Sequence, residues 1–304
     1  MFYEIDHGKA HIMDMGAIAP GQTVAAFASP DEAQTLLALF GLPPRLMDHA
    51  LQNHAMAYES HEGFDFVCVN LLKPEALSAP PEKVCVYFSK SLLLFTGNQA
   101  EPAHQLLRDV LEDPSATLSL ERLLLLFFER LTMGDTAVLE DIEQEVTELE
   151  NALLTQGKRN AVREIISLRQ RLMAYKRHYE QLLSVLDMLQ ENDDRLLSGN
   201  AERTLKIFSN RVDRLYHAVL NLRDYVTQVR ESYQAEVDIS LNRIMKLFTV
   251  ITAIFLPLTF IVGWYGMNLQ MPEFRWSLAY PMVIILSVAV VVFCLILFKK
   301  HKWF

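Results

Sequence analysis

The sequence predicts an α+β membrane protein with three regions. Residues 1–135 form a cytoplasmic α/β domain and 136–246 form long antiparallel helices with a cytoplasmic stalk. Residues 247–304 form two transmembrane helices with a short external loop and a basic tail. Three observations carry this reading. Short β-rich runs mix with helix signals only in the first region. Leu205, Phe208, Val212, Leu215, Val219, Leu222, Val226, Val229 and Tyr233 repeat at alternating spacings of three and four, which puts one narrow apolar seam on a helix. From Leu247 to Met267 no residue carries a charge, a stretch long enough to cross a bilayer core. No proline or glycine lies between Ala201 and Pro257, so seam and span belong to one helix. Unbroken to Tyr265, it would be roughly 100 Å long at about 1.5 Å per residue.

The elements follow in order from local signals. Thr23 to Phe27, Phe64 to Leu72, Lys83 to Ser89 and Ser91 to Thr96 read as strands, the last stopped at Gly97-Asn98. Ser29-Pro30-Asp31-Glu32 opens a helix, with serine as N-cap, proline in the first turn and acids beside the positive end of the dipole. A second short helix starts near Pro43-Pro44. From Pro102 onward the pattern is helical. Leu118 to Leu131 suits a buried helix; Glu121, Arg122 and Glu129 make it too charged to span a membrane. Thr136 to Thr155 sets Val138, Ile142, Val146, Leu149 and Leu153 on one face against an acidic one. Gln156-Gly157-Lys158 turns into a long helix from Ala161 to Leu197. Asn192-Asp193-Asp194 and Ser198-Gly199-Asn200 mark the break before the stalk, and such short turns favour antiparallel neighbours. The acidic face reads as solvated surface or as a field that raises cation concentration near a pore entrance.

Composition removes several function classes. A net charge of −9 without a basic stripe argues against nucleic-acid binding. No Gly-rich phosphate loop, nucleophile elbow or paired-carboxylate motif occurs, so no enzyme activity and no organic cofactor are expected. Cys68, Cys85 and Cys294 have no zinc-site spacing; Cys68 and Cys85 are expected as buried strand thiols. Histidines 7, 11, 49, 54 and 61 read as scattered solvated side chains. Met1 to Asp6 lacks the basic and apolar regions of a signal peptide. Hydrophobic residues make up 51% of the chain, and the mean hydropathy of +0.14 draws its excess from after Leu247.

The spans run from Leu247 to about Tyr265 and from about Leu278 to Phe298. Arg243 and Lys246 precede the first, and Lys299, Lys300 and Lys302 follow the second. The positive-inside rule therefore places both termini in the cytoplasm of a cell whose inner membrane holds the chain. Trp264, Tyr265, Trp276 and Tyr280 gather at the outer boundary, where amphipathic rings prefer to sit. Two helices cannot enclose a water path, so the chain is either a simple anchor or one subunit of a closed cyclic assembly. On the first span Asn242, Met245, Thr249, Thr252, Leu256, Thr259 and Gly263 fall within one arc. Hydroxyls and small residues on one stripe suit either helix packing or a watery lining. The stalk seam, which asks for partners, favours the lining.

Tyr265-Gly266-Met267-Asn268, then Met271-Pro272-Glu273-Phe274-Arg275-Trp276 and Tyr280-Pro281, closely resemble the signature of the CorA family of divalent-cation channels. The basic tail Lys299-Lys300-His301-Lys302-Trp303-Phe304 is similar too. Phe274 stands where leucine is usual, and the link from Asn268 to Met271 is one residue shorter than the commoner form. The resemblance implies a homopentamer in the lipid bilayer, with the first span lining the pore. It implies selection of Mg²⁺ at Gly266, Met267 and above all Asn268, whose ring of amide oxygens would hold the ion through its hydration shell. A left-handed C-cap at Gly266 and Asn268 is the plainer role. Thr259 and Asn242 would offer further oxygen rings, while Met245, Leu256 and the flanking Phe248 suit hydrophobic constrictions. Pro257 is expected to kink the span. The resemblance also implies gating by intracellular Mg²⁺ bound between subunits, for which Glu231, Glu236 and Asp238 are the candidate acids. The leading function is thus a channel for Mg²⁺, with Co²⁺ and Ni²⁺ as further ions. The alternatives are a proton-coupled zinc transporter of the same superfamily, against which Met267 counts, and a membrane-anchored scaffold or sensor that conducts nothing.

Overall fold

The structure, a computed structural model, describes residues 1–304 except 20, 53–56, 73–81, 98–100, 114, 157–160, 192–194, 269–271, 273–275 and 302–304. It divides into Met1–Val229 and Arg230–Phe304. The first unit is built on a seven-stranded sheet of order β2-β1-β3-β7-β6-β5-β4. The strands are β1 (Phe2–Asp6), β2 (Lys9–Met13), β3 (Val24–Ala28), β4 (Ala57–His61), β5 (Phe64–Leu71), β6 (Glu82–Ser89) and β7 (Leu92–Gly97). Only β3 and β7 pair in parallel; the other neighbours are antiparallel.

Four strands match the sequence reading to within a residue or so. Three, β1, β2 and β4, were missed. β1 and β2 join through His7-Gly8, both at positive φ (47° and 80°), the backbone that a two-residue hairpin requires. β4 and β5 join through Glu62-Gly63, with His61 opposite Phe64 and Gly63 at φ 84°. β2 and β4 form the sheet's two edges and are largely unburied, so neither shows the apolar alternation that marks a strand.

Both faces of the sheet are covered. On one, Ala26, Phe66, Tyr87 and Leu94 pack with Leu36 and Leu37 of α1 (Pro30–Leu39) and Met47 of α2 (Arg45–Gln52). The capping box expected at α1 is present: Ser29 N donates to Glu32 Oε2 at 2.9 Å, and Pro30 begins the helix. Lys83 is 5% exposed, and its Nζ donates to the carbonyls of Ala50 and Leu51 at 2.9 and 3.2 Å, tying the end of α2 to β6. Cys68 and Cys85 face each other across β5 and β6 as buried free thiols, their Sγ atoms 3.4 Å apart.

The other face carries α3 (Glu101–Leu111), α4 (Leu120–Leu131), α5 (Asp135–Gln156), α6 (Ala161–Glu191) and the first part of α7 (Gly199–Tyr265). Phe127 and Phe128 of α4 link the sheet to this layer: Phe127 packs on Phe95 at 4.9 Å and Phe128 on Phe208 at 6.4 Å between ring centroids. Ser198 holds the start of α7, donating through N and Oγ to Glu121 Oε2 at 3.1 and 2.6 Å. Tyr225 of α7 donates to Glu150 of α5 at 2.6 Å. α6 ends at Glu191, earlier than the Leu197 expected, and the expected turns at residues 157–158 and 192–194 lie outside the described residues.

One expectation is overturned here. Leu205, Phe208, Val212, Leu215, Val219, Leu222, Val226 and Val229 are all buried in the core of the first unit. The chain itself satisfies the seam that had seemed to ask for partner chains. Periodicity shows that a helix face is covered, and says nothing about which chain covers it.

His178 of α6 is 4% exposed, and neither ring nitrogen has a hydrogen-bond partner among the described residues. Burial alone pushes its pKa down to about 4. The folded chain therefore keeps the ring neutral, while the unfolded chain takes up a proton near its ordinary value of about 6.5. Stability is full above that value and falls as pH drops towards 4, by at most about 3 kcal/mol. Chemical denaturation at pH 7.5 and 5 should show this loss, and His178→Leu should flatten the slope relative to the native chain.

Candidate ion-conduction site

The second unit contains the rest of α7 and α8 (Ala279–Lys300), two helices long and apolar enough to cross a membrane. α7 stays helical through Pro257 to Tyr265. Within α7, Val250 is buried, and Ala253, Ile254, Pro257, Leu258, Ile261 and Tyr265 are partly covered. These residues share one side of the helix at about 100° per residue. Cys294 of α8 touches that side, its Sγ 3.7 Å from the carbonyl oxygen of Ala253. On α8 the partly covered residues Ala279, Val283, Ser287, Val290, Val291, Cys294 and Phe298 also fall on one side.

The predicted lining occupies the opposite side of α7. Asn242, Met245, Phe248, Thr249, Thr252, Leu256, Thr259 and Gly263 are all exposed. The stripe therefore does not serve packing between the chain's own two apolar helices. Its hydroxyls share one geometry. Thr249, Thr252 and Thr259 each donate through Oγ1 to the carbonyl four residues earlier, those of Met245, Phe248 and Phe255, at 2.8 Å. With the proton committed to the helix backbone, each oxygen presents lone pairs outward. A row of acceptors without donors suits a cation carrying its own water.

Where α7 ends, Gly266 N donates to Val262 O at 2.8 Å and Met267 N to Trp264 O at 3.4 Å. Neither Gly266 nor Asn268 has positive φ, so the left-handed cap expected at this end is not what closes the helix. Glycine is needed for another reason. A Cβ at 266 would stand 2.8 Å from the Val262 oxygen, inside van der Waals contact. Gly263, by contrast, has open space where a Cβ would go. Met267 and Asn268 are exposed. Trp276 and Tyr280 line a cavity of about 460 Å³ with Val262, Tyr265 and Gly266. The signature loop lies outside the described residues at 269–271 and 273–275.

The three candidate regulatory acids, Glu231, Glu236 and Asp238, are exposed on α7. Glu231 and Asp238, seven residues apart, share a face; Glu236 lies about 140° round from Glu231. Among the described residues no group of three acidic, histidine or cysteine side chains converges on a metal position.

Residues 26–300 match the sequence profile of the family described as CorA-like Mg²⁺ transporter protein. The chain belongs to the CorA family. Among its relatives is the cobalt/magnesium transport protein CorA of Thermotoga maritima, 26% identical over 287 residues, which span 90% of this chain and 80% of that protein. The complete CorA magnesium transporter of Methanocaldococcus jannaschii shares the fold with a TM-score of 0.81 at 19% identity, covering 100% of this chain and 98% of that one. The ZntB cytoplasmic domain of Vibrio parahaemolyticus matches at 0.65 and 15% identity, over 78% of this chain and 97% of that domain. The α/β unit of this CorA chain is thus a shared scaffold.

Proposed function

We propose that the chain is one subunit of a homopentamer in the cell inner membrane, with both termini cytoplasmic, that conducts hydrated Mg²⁺ and also Co²⁺ or Ni²⁺. The observation that carries this is the exposed threonine face of α7, turned away from α8 and continuing to an exposed Asn268. Beyond Val229 almost all of α7 is exposed up to Val250, including Val237, Leu241, Ile244, Met245 and Phe248. Apolar side chains in that number require cover from other chains or from lipid. Assembly about an axis would cover them and bring the stripes together round water. Mg²⁺ sheds water reluctantly and is best held by neutral oxygens acting through its shell. In this arrangement Asn268 captures the ion, Thr259, Thr252 and Asn242 relay it, and Met245 and Leu256 form dewetting constrictions.

Intracellular Mg²⁺ would close the pore by bridging carboxylates of neighbouring chains, with Glu231 and Asp238 on one face and Glu236 on another. Loss of the ion leaves like charges facing each other and shifts the population towards open states.

Purified protein in vesicles tests the reading. Mg²⁺ flux is expected without a pH gradient, and an inert hexacoordinate cobalt complex the size of the hydrated ion should block it from the Asn268 side. Double substitution of Glu231→Gln and Asp238→Asn should keep the flux and weaken its closure by Mg²⁺ on the stalk side. Zn²⁺ flux driven by a pH gradient would replace this proposal with a proton-coupled zinc carrier, and no flux of any ion would leave a scaffold. Gly266→Ala should cut Mg²⁺ flux several-fold with the oligomer intact, because the added methyl must push the Val262 carbonyl aside and shift Asn268 with it.

A further inference from the structure

Pro257 removes one rung from the helix that carries the threonine face. Proline has no N–H, so the carbonyl of Ala253, four residues earlier, loses the partner that the helix would otherwise supply. In a bilayer core no water is at hand to replace it, and an unpaired carbonyl there is costly. Cys294 of α8 supplies a donor: its Sγ lies 3.7 Å from that same oxygen. A thiol in an apolar helix is ordinarily filler, a small hydrophobe with a weak S–H donor. Here the oxygen it meets is the one that proline has orphaned. The Ser287 hydroxyl, two turns earlier on α8, is occupied on its own helix, donating to Val283 O at 2.8 Å.

We propose that Cys294 is a positioning residue for conduction, its thiol standing in for the missing amide of residue 257. Pro257 falls between Thr252 and Thr259. The thiol thereby sets the direction in which the outer part of α7, with Thr259 and Asn268, leaves the weakened turn. α8 lines no part of the proposed pore, and through this contact it acts on the helix that does. The inference rests on the conduction reading above for its consequence, though not for the contact itself.

Two measurements on the full chain in vesicles test it. With Cys68→Ala and Cys85→Ala leaving Cys294 as the one thiol, the infrared S–H stretch should sit at the lowered frequency of a hydrogen-bonded thiol. Pro257→Ala returns an N–H to the Ala253 carbonyl, and the band should move up towards the free-thiol position. Separately, in the otherwise native chain, Cys294→Ala should lower Mg²⁺ flux several-fold, and Cys294→Ser, which keeps a donor of similar size, should restore it. A band already at the free-thiol frequency overturns the proposal, as does equal flux from the alanine and serine variants. If the protein conducts nothing, the conduction reading fails while the infrared band keeps its lowered frequency, so the two failures are distinguishable.

Discussion

Asn268→Ala is expected to reduce Mg²⁺ uptake to the level of empty vesicles while the oligomer stays intact. The size of the loss follows from symmetry. A net hydrogen bond is worth about 1 kcal/mol, and more when one partner is charged. In a cyclic assembly the substitution removes the amide oxygen from every subunit at once. The cost to the fold should be small, because Asn268 is exposed and makes no hydrogen bond among the described residues, so alanine orphans nothing. Uptake by radioactive or fluorescent readout, with size-exclusion chromatography of the same sample, separates the two effects. Asn268→Gln retains the amide one methylene further out and should recover only part of the flux. Near-native uptake by Asn268→Ala would mean that the ion is selected elsewhere, and the ring of amide oxygens would have to be abandoned.

Much of the architecture was legible because helices and spans announce themselves in patterns that tertiary context rarely overrides. The uncharged run after Leu247 became the apolar part of α7, and Ser29-Pro30-Asp31-Glu32 became a complete capping box. The threonine stripe was readable for the same reason: a fixed angular step converts spacing into a face. What covers a face was not readable. The seam from Leu205 to Val229 is closed by the chain's own helices, whereas Val237, Leu241, Ile244 and Phe248 keep a similar alternation of three and four and are exposed. The edge strands β2 and β4 were illegible because none of their residues is buried, and only His7-Gly8 and Glu62-Gly63 hinted at the hairpins. The Cys294 contact could not have been found either, since sequence does not say which residue of α8 stands beside Ala253. The missing amide of Pro257 was the one available clue.

Gly97→Ala is the substitution expected to damage the fold most, and it corrects the meaning first given to that residue. In the sequence Gly97-Asn98 reads as punctuation, a stop after a strand. In the structure Gly97 belongs to β7 and lies opposite Val84 of β6. Its φ is not positive, so backbone freedom is not the reason for glycine. Space is. A Cβ there would fall 2.0 Å from the carbonyl oxygen of Lys83 and 3.1 Å from its carbonyl carbon. Backbone cannot swing aside as a side-chain tip can, so β6 and β7 must part at this end. Lys83 is also the residue whose ammonium holds the last carbonyls of α2, so displacing its main chain loosens that helix from the sheet. Overpacking of this kind costs about 3 kcal/mol or more, among the largest effects of a single substitution. For a unit of this size the melting temperature should fall by roughly 10 °C. Circular dichroism of the full chain in detergent would measure it. Gly263→Ala, whose new methyl meets open space, is the matched control and should melt with the native chain. A Gly97→Ala protein that melts like the native chain would show that β6 and β7 stand further apart at this end than the close approach of Gly97 to Lys83 requires.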